Sequence, residues 1–256
     1  MSITNERRRA AIREHLLRNG SAEVGWLGRH FNASDATIRR DILALLKEHG
    51  FKKLRGGIGV DDTKAEPSFA QRSYLQSDNK RRIGKKAAEL VHDGEAIFLG
   101  TGSTALEVAK NLTTRRNLTV ITNSLPVLTT LVDSPGVDLV LTGGALRRPE
   151  LSFIGHIVER ALAELRADKV IIGIQGIHSE SGLTNEFLPE AMLDRVLVTF
   201  APQLIIVADS SKLGKIKASA VGKIEDIGVL VTDPAIDAPI LEDLQRHGVR
   251  VMLAEE

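Results

Sequence analysis

The 256-residue sequence has no cysteine, which excludes a disulfide framework, a thiolate metal site and a cysteine nucleophile. Aromatics are scarce at 4%, with one Trp and one Tyr. No stretch approaches 18 uninterrupted apolar residues, so no membrane-spanning helix is expected. The arginines at 7 to 9 are not followed by an apolar run, so no secretory leader is expected, and the protein is expected in the cytoplasm. The seven His residues show no ligand spacing. With no Ser-His-Asp order legible either, neither a metal nor a cofactor is expected. Net charge is almost absent: 34 basic against 33 acidic residues leave +1. That balance conceals a division. Residues 1 to 86 hold 19 basic and 10 acidic side chains, a net of +9, and the rest hold 15 and 23, a net of −8. A basic end on an acidic body suits a polyanion partner, although a merely solvated basic surface gives the same arithmetic. The 43% of hydrophobic residues is enough for a core, and the length fits one large domain or two ordinary ones.

In the basic end, residues 5 to 18 place Ala11, Ile12, His15 and Leu16 at helical spacing before Asn19-Gly20. Residues 22 to 31 give a second short helix with Val24, Leu27 and Phe31 on one face. After a tight turn at Asn32-Ala33, Ser34 caps a third helix with Ile38, Ile42, Leu45 and Leu46 in one stripe and a stop at Gly50. The following FKKLRGGIGV reads as a hairpin or wing. This is the layout of a winged helix-turn-helix, whose last helix enters the major groove. The third helix then presents Ser34, Asp35, Ala36, Thr37, Arg39 and Arg40. Hydroxyls and backbone N–H groups at a helix start can meet phosphate, and Arg can grip guanine O6 and N7. Either arginine can instead hold phosphate, or pair with Asp35, Asp41 or Glu23. Lys52, Lys53 and Arg55 add charge on the wing. A three-helix element that only packs against the body remains the bland alternative.

Residues 61 to 79 show no strong period and read as a linker with some helical character. Beyond them apolar runs at 96–99, 118–121, 137–141, 170–174, 204–208, 229–231 and 249–253 alternate with helical patterns near 80–92, 103–111, 124–133, 155–166, 187–199 and 235–246. Buried strands interleaved with helices imply a largely parallel sheet covered on both faces. Early strands end in small or hydroxylated residues. Gly100, Thr101, Gly102, Ser103 and Thr104 open a helix and form an anion cradle, or simply a tight turn with a Ser or Thr cap. Thr122 and Asn123 follow the second strand, Gly143, Gly144 and Arg147 the third, and Asp209 and Lys212 a fifth. Ligands bind beyond the carboxyl ends of such strands, so these loops can converge. Arg147 and Lys212 would supply positive charge, while Glu190 and Asp209 could accept from sugar hydroxyls. Asp209 can equally cap its own turn.

The run NASDATIRRDILALLKEHGFKKLRGG resembles the signature of the DeoR family of bacterial transcriptional repressors. The matching residues are Ser34, Thr37, Ile38, Arg39, Arg40, Asp41, Leu45, Gly50, Arg55, Gly56 and Gly57, with Arg55 where the family usually has His. GTGSTALEVA, VITNSLPV, LTGGALR, IGIQGIHSESGLT, PEAM and VADSSKLGK are similar to successive blocks of the family's sensor domain. The resemblance implies a fold like ribose-5-phosphate isomerase and the CoA transferases, and a phosphorylated sugar or related metabolite as inducer. It makes Gly100 to Thr104, Thr122, Asn123, Gly143, Gly144, Arg147, Glu190, Asp209 and Lys212 the candidate effector residues. Many members have Lys four residues after the matching Glu; here Asp194 stands there, followed by Arg195, which leaves open a less anionic or differently placed ligand.

The expected architecture is therefore α/β: a winged helix-turn-helix over 1–59, a linker over 60–75, and a Rossmann-like effector-binding and oligomerisation domain over 76–256. The expected function is a transcriptional repressor of a carbohydrate or polyol catabolic operon. Its partners would be double-stranded operator DNA and a phosphorylated sugar or polyol, with no membrane, in a homodimer or homotetramer. The rival is an isomerase or transferase of the same fold with an appended DNA-binding domain. Isomerases of this fold carry acids directly after a central strand, where this chain reads Ile174-Gln175-Gly176-Ile177, so no enzyme is expected. An activator or an oligomeric scaffold is a third possibility.

Overall fold

A computed structural model describes residues 5–46, 51–60 and 69–255. The chain divides into two compact units, Met1–Leu75 and Gln76–Glu256.

The first unit contains α1 (Asn5–Asn19), β1 (Ser21–Glu23), α2 (Val24–His30), α3 (Asp35–Leu45), β2 (Phe51–Leu54), β3 (Gly57–Val60) and α4 (Phe69–Tyr74). Its core joins Ile12 and Leu16 of α1, Leu27 of α2 and Ile38, Ile42 and Leu45 of α3 to Phe51 and Ile58 of the wing. The three short strands pair antiparallel in the order β1-β3-β2, which makes the unit a winged helix-turn-helix. Two features depart from the sequence expectation. Residues 21 to 23 are a strand, although 22 and 23 were expected within the helix over 22 to 31, because their backbone pairs with β3. A Cβ on Gly57 would lie 2.2 Å from the Ala22 carbonyl oxygen, so glycine permits that close approach. In addition, residues 69 to 74 of the expected linker form α4, where the Arg13 guanidinium sits 4.3 Å over the Tyr74 ring. The helix stop expected at Gly50 and half of the expected linker, 61 to 68, lie outside the described residues.

The second unit alternates helix and strand: α5 (Ser77–Ala88), β4 (Ala96–Leu99), α6 (Ser103–Lys110), β5 (Leu118–Thr122), α7 (Leu125–Leu131), β6 (Val137–Leu141), β7 (Ala145–Arg147), β8 (Ser152–Ile154), α8 (His156–Glu164) and β9 (Lys169–Ile172). There follow β10 (Gly176–His178), β11 (Gly182–Asn185), α9 (Leu188–Val198), β12 (Gln203–Val207), β13 (Ser219–Gly222), β14 (Val229–Thr232), α10 (Ala238–Arg246) and β15 (Arg250–Leu253). The seven apolar runs read from the sequence form one seven-stranded sheet in the order β15-β14-β12-β9-β4-β5-β6. Every pairing in it is parallel. One apolar cluster covers each face, one built around Phe98, Val170 and Ile206 and the other around Ile97, Ile171 and Ile205. The strand order reverses between β4 and β9, and a crevice opens at the carboxyl ends of strands where such a reversal occurs. Two small antiparallel additions, β7-β8 and β10-β11-β13, were not anticipated from the sequence. Their strands are three or four residues long, too short for a period to register.

Candidate functional site

The winged unit sorts its charges clearly. Ser34 opens α3, its hydroxyl accepting from Thr37 N at 3.3 Å. Ile38, Ile42 and Leu45 turn into the core with Asp41, which is almost fully enclosed. Arg8 Nε and Arg9 Nε from α1 donate to the two Asp41 oxygens at 2.7 and 2.8 Å. The Asp41 carboxylate therefore clamps α1 to α3, and the sequence-level option that it pairs with Arg39 or Arg40 is not adopted. Arg39 and Arg40 are exposed and have no hydrogen bond or ion pair with other described residues. Ser34, Asp35 and Ala36 are exposed at the start of the same helix and Thr37 is half-buried. Lys52, Lys53 and Arg55 are exposed along the wing. The described residues thus leave two unengaged guanidinium groups on the exposed face of α3, and three further exposed cations on the wing.

In the second unit, Gly100 to Thr104 lead from β4 into α6 at the point where the strand order reverses. Gly100 lies so close to β9 that a Cβ there would come within 2.7 Å of Ile172 Cγ2. Gly102 adopts φ +106° at the helix N-cap, where no side chain caps the first turn. The first N–H groups of a helix lack intrahelical partners, so this end of α6 is a ready donor surface. Ser103 is half-buried and Thr104 buried. Across the loop stands Glu150, one of whose carboxylate oxygens is 3.8 Å from the Cβ position of Gly102.

The hairpin β7-β8 brings the next group together. Gly143 and Gly144 turn the chain with φ +71° and +110°, and a Cβ on Gly144 would meet the Ile154 carbonyl at 2.8 Å. Arg147 on β7 lies 3.4 Å from Glu190 on α9, with the two side chains only 8% and 11% exposed. Its guanidinium also stacks 4.2 Å over the Phe187 ring. Ser152 on β8 donates to the same Glu190 oxygen at 3.1 Å. Asn123, after β5, fastens the hairpin: its Nδ2 donates to the Phe153 carbonyl and its own carbonyl accepts from Phe153 N. One turn beyond Glu190, Asp194 receives a hydrogen bond from Asn185 Nδ2. Burial, followed by the neighbouring Glu190, pushes the Asp194 carboxyl up to about 8; the Asn185 bond opposes this and Glu150 adds to it.

Other sequence candidates take different positions. Thr122 is fully buried, its hydroxyl accepting from Ser124 N at 3.0 Å. Asp209 accepts from Ser211 N at 3.1 Å and from the Ser211 hydroxyl, capping the turn after β12. Lys212 in that turn is half-buried and makes no side-chain hydrogen bond or ion pair with described residues. No hydrogen bond or ion pair joins Asp209 or Lys212 to the Arg147–Glu190 group among those residues. Both nevertheless follow the carboxyl end of β12, which pairs with β9. Sequence reading missed Glu150 and Ser152, which sit on a hairpin with no periodic signal, and Asn185. Leu151 there holds φ +55°, which only the folded backbone reveals.

Gln175, three residues after β9, is engaged structurally. Its N donates to Asn185 Oδ1 and its Oε1 accepts from Glu186 N, both at 2.9 Å.

Comparison with known proteins agrees with this division. Residues 8–64 match the model of the DeoR-like helix-turn-helix domain, and residues 75–234 match that of the DeoR C terminal sensor domain. The chain is similar to a protein of Escherichia coli O157:H7 named putative aga operon transcriptional repressor, 32% identical over 99% of this chain and 95% of that one. It is also similar to the glycerol-3-phosphate regulon repressor of Escherichia coli strain K12, 28% identical over 96% of this chain and 98% of the relative. Among solved structures, ribose 5-phosphate isomerase A of Methanocaldococcus jannaschii aligns with 54% of this chain and 55% of its own at 22% identity and a TM-score of 0.41. With both family models matched in order and a relative 32% identical along nearly its whole length, the chain belongs to the DeoR family of DNA-binding transcriptional repressors.

Proposed function

We propose that this protein represses a carbohydrate or polyol catabolic operon by seating α3 in the major groove of its operator. In this reading it lets go when a phosphorylated sugar or polyol occupies the crevice at the β4–β9 reversal. The observation that carries the DNA half is the division of labour on α3, where Asp41 is held by Arg8 and Arg9 while Arg39 and Arg40 stay unengaged. Ser34, Asp35, Ala36 and Thr37 would meet phosphate or base edges, with Lys52, Lys53 and Arg55 on flanking phosphates. The ligand half rests on the uncapped α6 N-terminus among Gly100, Thr101, Gly102, Ser103 and Thr104. There a phosphate would accept from backbone N–H groups, with Lys212 as the approaching cation. Asn123, Arg147 and Glu190 would orient the sugar, and Gly143 and Gly144 shape the rim. Thr122 and Asp209 would brace the loops that carry these groups.

A ligand releases a repressor only through different affinity for the DNA-competent and DNA-incompetent states. Paired half-sites and the small reach of one module favour a homodimer or homotetramer. The relatives' names as regulators, and the structural engagement of Gln175 where an isomerase needs an acid, support a regulator over an enzyme. A gel shift with a bound DNA fragment tests the reading. Phosphorylated sugars and polyols, added singly, should release the DNA in at least one case, and Lys212→Ala should bind DNA normally yet need about tenfold more of the same ligand. A panel that releases nothing would defeat the ligand half.

A further inference from the structure

Helix α3 carries two stripes on opposite sides. Ile38, Asp41, Ile42 and Leu45 are buried against the rest of the winged unit. On the other side Ala36, Arg39, Arg40 and Leu43 follow the i, i+3, i+4, i+7 spacing of one helical face, and all four are exposed. A homeodomain helix meets base edges in the major groove with the same spacing. The two arginines suit water and groove alike, but Leu43 does not suit water, and it is 60% exposed. A lone exposed leucine elsewhere on a surface means little. This one continues the face of the helix assigned to the operator. Base edges in the major groove are hydrogen-bond donors and acceptors, with a single apolar exception: the 5-methyl group of thymine. Any other edge placed against Leu43 would lose water and gain no partner.

We infer that Leu43 is a specificity-determining residue, selecting operators that place a thymine methyl group against it. That thymine lies about 5 Å along the helix axis beyond the groups held by Arg39 and Arg40, or roughly one to two base-pair steps. The inference rests on the proposed function and adds a base preference to it. Ala36, two turns earlier on the same stripe, is small enough to let the start of α3 approach the base edges closely. Leucine brings no charge, so it contributes to the choice among sequences and not to the attraction that every phosphate backbone shares. Removing it should reduce discrimination and leave the salt dependence of binding as it is.

Fluorescence anisotropy of the full-length protein on a DNA fragment that it selects from a random pool tests this, with each thymine replaced in turn by uracil. Uracil keeps the groove acceptor of thymine and lacks only the methyl group. Burying one such group corresponds to roughly a fourfold change in affinity, so at least one uracil should weaken binding of the parent about threefold or more. Leu43→Ala and Leu43→Gln change an exposed position and should melt like the parent. In each of them the penalty for uracil at that thymine should fall by half or more, with the slope of log affinity against log salt unchanged. If uracil is tolerated at every position, or the selected fragments share no thymine, the inference is overturned. The proposed function then still stands, provided that Arg39→Ala/Arg40→Ala loses binding. A penalty that falls by less than half in a variant that melts like the parent also overturns the inference, because the methyl group is then read by another side chain or through DNA shape. If the pool yields no bound fragment, the inference and the operator reading fail together.

Discussion

Asp41 and Arg39 stand two residues apart on one helix and serve opposite ends. Asp41 faces inward, where its side chain is 2% exposed and two arginines of α1 neutralise it. Removing it takes away the carboxylate that neutralises Arg8, itself 8% exposed. Breaking a buried pair from one side typically costs about 3–5 kcal/mol. Asp41→Ala should therefore lower the urea midpoint of the winged unit markedly. Arg39→Ala, on the exposed face, should stay within about 0.5 kcal/mol of the parent. Asp194 gives a pH signature. Its folded-state pKa, about 8, is well above the unfolded carboxyl value of 3.8. The folded chain thus holds a proton that the unfolded chain releases, so this contribution is full below about pH 4 and fades as pH rises through 8. Asp194→Asn should gain thermal stability relative to the parent at pH 8 compared with pH 5. A difference in Tm that does not change with pH would contradict the raised pKa of the carboxyl.

At the scale of elements, glycine marks where two backbones meet. Gly57→Ala would force a methyl to within 2.2 Å of the Ala22 carbonyl. Unlike a flexible side chain, that carbonyl belongs to β1 and cannot move without breaking the pairing. A loss of about 1–3 kcal/mol, the scale of overpacking, should appear in thermal melts of the winged unit. This same contact explains why β1 was illegible. Nothing in Ser-Ala-Glu marks a strand, and only pairing with a segment over thirty residues later makes it one. The seven parallel strands were legible because each is a mostly apolar run; the five inner ones are buried almost throughout, while the edge strands β6 and β15 carry Asp138 and Arg250 and are only partly buried. Gly173 ends the fourth of these runs earlier than its apolar residues imply, since β9 stops at Ile172. Within the candidate site, loops anchored to strand ends could be read from sequence. Glu150, Ser152 and Asn185 reach the site by a hairpin and a small side sheet, and their roles depend on contacts across 38 residues for Ser152 with Glu190.

For the whole molecule, the division into a basic end and an acidic body agrees with the division into a helix-turn-helix and a sensor. No helix among the described residues is long and apolar enough to cross a membrane. Part of the acidity of the body lies inside it, since Glu150 and Glu190 are buried and Asp194 is half-buried. On the basic end, charge should act through counterion release. Each neutralised phosphate contributes roughly 0.9 to the slope of log affinity against log salt, so affinity should fall steeply with added salt. The most direct measurement of the central claim is fluorescence anisotropy of a DNA fragment selected by this protein from a random pool, titrated with the parent and with Arg39→Ala/Arg40→Ala. Each base-reading or phosphate-holding arginine is worth about 1–3 kcal/mol, so the double variant should bind at least tenfold more weakly while melting like the parent. A double variant that binds as the parent does, with the same salt slope, would contradict the assignment of α3 as the helix that reads the operator.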